Sequence, residues 1–170
     1  FLLNRDELRP IRFALEYSKA ELLLKDSGIR STVIVFGSAR IPSAEQAEAA
    51  LLAAGDSAAR ERAELGRKLS VHYEQARAFA RLVSERGGAL SLRHDGMRDN
   101  VIATGGGPGI MEAANRGARD AGAPSIGFNI TLPMEQGPNS YSTPDLTFNF
   151  HYFAMRKMHL AMRANALVVF

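Results

Sequence analysis

The stretch at residues 100–117 constrains the fold of this chain more than any other. A short apolar run, Val101–Ala103, has the composition of a buried strand, and Gly-Gly-Gly-Pro-Gly at 105–109 precedes good helix formers from Ile110 to Ala114. In such a unit, residues without a Cβ let the backbone approach an anion, and the N–H groups of the first helical turn point at it. The pattern therefore predicts a phosphate-binding turn.

This turn departs from the strict dinucleotide fingerprint G-x-G-x-x-G, because Ile110 stands where a glycine or alanine is required. Pro108 lies near the expected start of the helix, where its missing N–H costs nothing. The alternative is a tight turn between strand and helix that binds no ligand. Five glycine or proline residues exceed what such a turn needs, which favours the binding function.

A second strand also ends at a glycine. The β-branched run at 32–36 is typical of a strand covered on both faces, and Gly37-Ser38-Ala39-Arg40 follows it at once. In open α/β sheets ligands bind at the carboxyl ends of strands, so we expect Gly37, Ser38 and Arg40 to line the same site. The alternatives are a turn or capping role for Ser38 and a solvated charge for Arg40.

Segments that suit strands alternate with segments that suit helices, which predicts one α/β domain over 1–170, with an open parallel sheet flanked by helices. A helix at about 5–27 is expected to pack on the domain or on a partner subunit. The loop at 131–144 is long enough to close over a ligand. Strands are expected at 32–36, 101–103, 124–130, 146–150 and 166–170. Further helices are expected at 43–54, 57–86, 108–120 and 151–165, the second of these bending near Gly66 or Ser70.

The composition excludes several classes of site. With no cysteine among 170 residues, neither disulfides nor thiolate zinc sites are available. The net charge of +3 is too small, and too interspersed with acids, to indicate nucleic-acid binding. No apolar run approaches the roughly 20 residues that span a membrane. The cytoplasm is therefore the expected compartment, and no membrane partner is expected.

The helix expected at 151–165 has two faces. Met155, Met158 and Met162 form an apolar stripe that is predicted to lie in the core. The other face is polar and basic, and because the helix contains no acid, Arg156 is predicted to face an anion. Lys157 is placed to reach the same site or solvent. The basic face comprises Tyr152, Arg156, His159 and Arg163. His151 and His159 are about 12 Å apart along a helix axis, so no metal site is expected.

Several of these motifs together resemble the Lonely Guy family, nucleoside 5′-monophosphate phosphoribohydrolases once widely labelled possible lysine decarboxylases. The resemblance runs through Val-Phe-Gly-Ser-Ala-Arg at 35–40 and Thr-Gly-Gly-Gly-Pro-Gly-Ile-Met-Glu-Ala-Ala at 104–114. It continues through Gly-Phe-Asn-Ile-Thr-Leu-Pro at 127–133 and Met-Arg-Lys-Met at 155–158, before Ala-Leu-Val-Val-Phe at 166–170. The N-terminal helix and a helical insertion at about 43–70 resemble additions found in longer members.

The resemblance implies a Rossmann-like fold, a homodimer or larger homo-oligomer, and no redox cofactor. It also implies hydrolysis of the N-glycosidic bond of AMP, or of an N6-substituted AMP such as a cytokinin nucleotide, to free base and ribose 5-phosphate. Arg156 and Lys157 would lie at the ribosyl bond as catalytic residues. The expected nucleotide- and phosphate-binding residues are Gly37, Ser38, Arg40, Gly105, Gly106, Gly107, Pro108, Gly109, Ile110 and Met111.

The family's acidic residue belongs to a Pro-Gly-Gly-x-Gly-Thr-x-x-Glu motif directly after the fifth strand, and this sequence stops at Phe170, so the catalytic carboxylate is expected beyond it. Glu112 is the carboxylate in the central turn, where an acid more often complements the helix dipole. A non-catalytic carrier of a nucleotide or a pterin-type cofactor is the alternative function. A pyridoxal-dependent decarboxylase and a DNA-binding protein are disfavoured.

Overall fold

The computed structural model describes residues 2–131 and 137–170, and a five-stranded, fully parallel sheet lies at its centre. The strands are β1 (Thr32–Phe36), β2 (Val101–Thr104), β3 (Ser125–Ile130), β4 (Thr147–Phe150) and β5 (Ala164–Val169). Their spatial order is β4-β3-β2-β1-β5. The chain thus adds strands on one side of β1 and then returns to its other side, so the topological switch point lies between β1 and β5.

Helices cover both faces of the sheet, which confirms the predicted α/β class with a Rossmann-like arrangement. The helices are α1 (Arg9–Asp26), α2 (Ala44–Ala53), α3 (Ser57–Arg86), α4 (Ile110–Asp120) and α5 (Phe153–Met162), with short 3₁₀ turns at Leu2–Asn4, Asp6–Leu8 and Pro144–Leu146. One face of the sheet packs on α1 and α5 through residues such as Leu24, Phe128 and Leu160, and the other packs on α3 and α4 through Tyr73 and Ile110.

Local sequence accounts for several helix ends. Ser43 and Gln46 form a reciprocal capping box at the start of α2. The side chain of Asp56 accepts from the Ala59 N–H at the start of α3, and Pro10 occupies the first turn of α1. Neither Gly66 nor Ser70 interrupts α3, which is one helix of 30 residues. The expected end of the insertion at residue 70 therefore falls inside a helix that continues to the sheet.

The methionine stripe on α5 does not have the predicted orientation. Met155 packs against the core, but Met158 and Met162 are 43% and 44% exposed. The buried face instead carries His159 and Leu160. The prediction was wrong because the periodicity defines two faces without saying which one meets the sheet.

Helix α1 shows a similar difference. Its buried residues are Ala20 and Leu24, whereas the apolar side chains of Ile11, Leu15 and Leu22 lie on the exposed surface. Glu16 is half-buried, and its carboxylate accepts from the backbone N–H groups of His151 and Tyr152, at 2.6 and 3.2 Å. The helix thus stabilises the start of α5.

No helix in the described parts of the chain is both long and apolar enough to cross a membrane.

Candidate functional site

The two glycine junctions found in the sequence meet at the carboxyl edge of the sheet, because β1 and β2 are parallel neighbours. The N–H of Ile110 donates to the carbonyl oxygen of Ser38 at 3.1 Å. A Cβ on Gly37 would lie 2.5 Å from Cγ2 of Ile110. The end of β1 and the start of α4 therefore pack directly on each other, and a side chain at Gly37 would separate them.

Two N–H groups in the first turn of helix α4 have no acceptor among the described residues. Its N-cap, Gly109, has φ 70° and ψ −129°, and no described side chain caps the helix. Within residues 2–131 and 137–170, the N–H groups of Met111 and Glu112 have no acceptor. Uncapped N–H groups and the positive end of the helix dipole suit an anion. Pro108 precedes the N-cap, so it lies outside the helix rather than within its first turn.

The carboxylate of Glu112 is engaged by a neighbouring helix. The hydroxyl of Tyr73 on α3 donates to Glu112 Oε1 at 2.8 Å. Burial, together with the nearby carboxylate, raises the pKa of the Tyr73 hydroxyl far above its usual range, so it remains a donor. This contact ties α3 to the first turn of α4.

A buried polar network supports the glycine-rich turn from behind. Thr104 Oγ1 accepts from the Gly106 N–H at 2.9 Å and donates to Asn115 Oδ1 at 2.8 Å. Asn115 also receives a hydrogen bond from Asn139, whose amide donates to the carbonyls of Gly106 and Gly107. Both Thr104 and Asn115 are fully buried. The turn is therefore fixed by side chains from β2, α4 and the loop after β3.

Sequence reasoning missed these three supporting residues. A signal did exist for Asn115, because it is a polar residue among the buried positions of α4 such as Ile110, Ala114 and Ala118. Thr104 stands at the junction itself. Asn139 offered no local signal, because its partners in the glycine-rich turn lie more than 30 residues away in sequence. The expected ligand-closing loop at 131–144 includes 132–136, which lie outside the described residues.

Arg156 lies against the turn, and its predicted anion-facing role stays a prediction. Its Nε donates to the Phe128 carbonyl at 2.6 Å and its Nη2 donates to the Gly105 carbonyl at 3.3 Å. A Cβ on Gly105 would be 2.6 Å from Arg156 Nη2 and 3.0 Å from Met111 Sδ. Gly105 thus permits the close approach of a half-buried cation and of Met111.

Two other candidate residues are not brought to the turn by any described contact. Lys157 is exposed on α5. Arg40 is also exposed, and it lines a cleft of about 350 Å³ with Pro42 and small residues of α2 and α3. Ser38 Oγ accepts from the Arg40 N–H at 3.2 Å, so the hydroxyl shapes the turn after β1.

The remaining polar residues of α5 have different environments. His159 is 1% exposed, stacks on Tyr17, and has no described hydrogen-bond partner at either ring nitrogen. Burial lowers the pKa of its imidazole. Arg163 forms a two-bond ion pair with Glu21 of α1, at 2.8 and 2.6 Å. No group of three or more described acidic or histidine side chains could hold a metal ion.

Comparisons with known proteins relate part of the chain to a family. No curated protein matches it. Among solved structures, the structural-genomics X-ray structure of TM1055 is 21% identical, with a TM-score of 0.45, over 82% of this chain and 59% of that one. This chain thus spans 59% of the length of TM1055. The model of a family described as "Possible lysine decarboxylase" matches residues 111–170. That match agrees with the resemblance over residues 111–170, which run from the first turn of α4 through β5; the motifs at 35–40 and 104–110 lie outside it.

Proposed function

We propose that this protein binds a nucleoside 5′-monophosphate at the turn 105–109 and hydrolyses its N-glycosidic bond, releasing the base and ribose 5-phosphate. The observation that carries the proposal is the uncapped start of α4 at the carboxyl edge of a parallel sheet. There the N–H groups of Met111 and Glu112 have no acceptor among the described residues. A phosphate would supply acceptor oxygens and the negative charge that this end of a helix favours.

The second contribution comes from Arg156. Its guanidinium is half-buried and hydrogen-bonded to the turn through the Gly105 carbonyl. A fixed cation beside the phosphate lowers the energy of negative charge that develops on a departing group, and a water-poor setting strengthens the effect. Arg156 is therefore proposed to assist departure of the base as well as to bind the nucleotide.

Hydrolysis of this bond builds positive charge on the ribosyl group, so a carboxylate has to stabilise that charge or activate a water. We do not assign this role to Glu112, because its Oε1 accepts from Tyr73 and connects α4 to α3. The proposal places the carboxylate in the acidic motif that follows the fifth strand in the Lonely Guy pattern. The activity is therefore to be measured on the full-length protein.

Decarboxylation, which the family's description suggests, is not proposed for this chain. A lysine that forms a Schiff base is activated by desolvation or by a neighbouring cation that lowers its pKa. Lys157, the lysine that the sequence places beside Arg156, has an exposed side chain. It lacks the desolvation that such chemistry requires.

Chromatography of AMP incubated with the full-length protein tests the proposal. We expect adenine and ribose 5-phosphate in equal amounts. Arg156→Ala should lower the rate of base release by about 100-fold, the order of loss seen when one charge-stabilising donor is removed. Met158→Ala, on the exposed face of the same helix, is the matched control and should leave the rate unchanged. AMP that binds but stays intact would favour a carrier, and near-normal turnover by Arg156→Ala would remove the arginine from the mechanism.

A further inference from the structure

The glycine-rich turn contains carbonyl oxygens as well as N–H groups, and only the N–H groups attract an anion. We propose that Asn139 is the positioning residue of this turn, holding the carbonyls of Gly106 and Gly107 so that the Gly107 N–H faces the bound phosphate. This inference rests on the proposed nucleotide binding. It adds a residue that acts on the site through the backbone, without touching the substrate.

Asn139 contacts the turn through both its side chain and its backbone. Its Nδ2 lies 3.0 Å from the carbonyl oxygen of Gly106 and 3.0 Å from that of Gly107. Its own backbone N–H donates to the Gly106 carbonyl at 2.8 Å. Two donors on one carbonyl fix the orientation of the peptide unit between Gly106 and Gly107.

That orientation determines where the Gly107 N–H points. Every described peptide bond is trans, and in a trans peptide the C=O and the N–H point in opposite directions. Because the Gly106 oxygen points to Asn139, the Gly107 N–H points away from it. No residue in the described ranges accepts from the Gly107 N–H. The Gly106 N–H, in contrast, donates to Thr104 Oγ1 at 2.9 Å and is already used.

The amide of Asn139 is itself held in one orientation. Its Oδ1 accepts from the Tyr141 N–H at 3.0 Å, and its Nδ2, which shares two hydrogens among three acceptors, also lies 3.1 Å from Oδ1 of the buried Asn115. The Tyr141 ring lies 5.5 Å from the guanidinium carbons of both Arg116 and Arg119 on α4. These contacts hold the loop that contains Asn139 against α4, so the Asn139 donors remain directed at the turn.

A titration of the ¹⁵N-labelled wild-type chain with AMP, followed by amide NMR, gives a first test. We expect the Gly107 amide proton to move downfield to saturation as it hydrogen-bonds to phosphate. The Gly106 amide proton, already bonded to Thr104, should move much less. Inorganic phosphate should give the same pattern at higher concentration. A moving Gly106 signal beside an unmoved Gly107 signal would overturn the inference even if AMP binds.

Variants test the cause. Asn139→Asp keeps the shape but replaces the donor group by an oxygen that faces two carbonyls, and we expect its Kd for AMP to rise by about tenfold or more. Ser140→Ala, in the same loop, should keep the wild-type Kd. In Asn139→Asp the Gly107 amide signal should no longer shift when AMP is added. If Asn139 only stabilised the fold, a folded variant would keep this shift.

The outcomes separate this inference from the proposed function. If the wild-type chain does not bind AMP, the nucleotide site fails and the inference fails with it. If the wild-type chain binds AMP and a folded Asn139→Asp binds it equally well, only the inference fails. If Asn139→Asp does not fold, the wild-type titration decides. The inference requires that AMP moves the Gly107 amide signal and leaves the Gly106 amide signal nearly unchanged, and the reverse result overturns it.

Discussion

Two glycines of the same turn should respond very differently to the same substitution. Gly109 has φ 70° and ψ −129°, a conformation that costs a residue with a Cβ about 1–3 kcal/mol. A Cβ there would overlap the Ser38 carbonyl oxygen and lie 2.8 Å from the Ala39 carbonyl carbon. Both neighbours are backbone atoms, so relief requires that β1 and α4 move apart. Overpacking of this kind costs a further 1–3 kcal/mol or so.

Gly107 provides the matched control. Its φ is not in the left-handed region, and among the described residues a Cβ would meet only Met111, whose Cε and Sδ would lie 2.8 and 3.8 Å away. The end of a methionine side chain moves easily. An alanine at a compatible position gains about 0.4–1 kcal/mol by restricting the unfolded chain, which offsets the small rearrangement.

The expected free energies of unfolding follow from these terms. Gly109→Ala should be less stable than the wild-type chain by about 2–6 kcal/mol, and Gly107→Ala should lie within about 1 kcal/mol of it. Urea unfolding followed by circular dichroism measures both, and an unchanged m-value shows that only stability has changed. If the two variants differed by less than about 0.5 kcal/mol, well below the strain cost assigned to Gly109, the geometry assigned to the turn would be refuted.

Two further predictions concern other parts of the chain. Burial lowers the pKa of His159, so its stabilising contribution is present above the ordinary histidine pKa of about 6.5 and is lost as the pH falls below it. His159→Leu should weaken this dependence of stability on pH. It should not reduce the free energy of unfolding at pH 7, because both ring nitrogens of His159 lack described partners. A variant whose free energy of unfolding falls more steeply in acid than that of the wild-type chain would contradict the argument. The expected homo-oligomer stays a prediction. Sedimentation velocity should show association of the wild-type chain, and Leu15→Glu, a substitution on the exposed face of α1, should weaken that association. Equal sedimentation of the two would exclude this face as the subunit interface.

The parts of the fold that were predictable depend on local signals. Strand β1 was recognised because its β-branched run is buried on both faces, and the two strand-to-glycine junctions marked the edge where a ligand site was expected. Neighbouring parallel strands then bring Gly37 and Gly109 to the same edge without further information. The close contact between Ser38 and Ile110 follows from that arrangement.

The rest depended on tertiary contacts that the sequence does not express locally. The basic face of α5 contains no acid, and the acids that serve it come from α1: Glu21 pairs with Arg163, while Glu16 receives the N–H groups at the start of the helix. This is why the polar face turns inward and Met158 remains exposed. Asn139 was missed for the same reason, because its role exists only once the loop folds over the turn.

The polar backbone groups of the turn at 105–109 differ in how they are engaged. Four of the five carbonyls at 105–109 accept from groups of the protein: Gly105 from Arg156, Gly106 and Gly107 from Asn139, and Gly109 from the Ala113 N–H. In each bonded carbonyl the negative end is compensated by its donor. What remains at the turn is an excess of N–H groups, the polarity that an anion requires. The glycines permit the close approach, but the donors from α5 and from the loop determine the sign of the field at the turn.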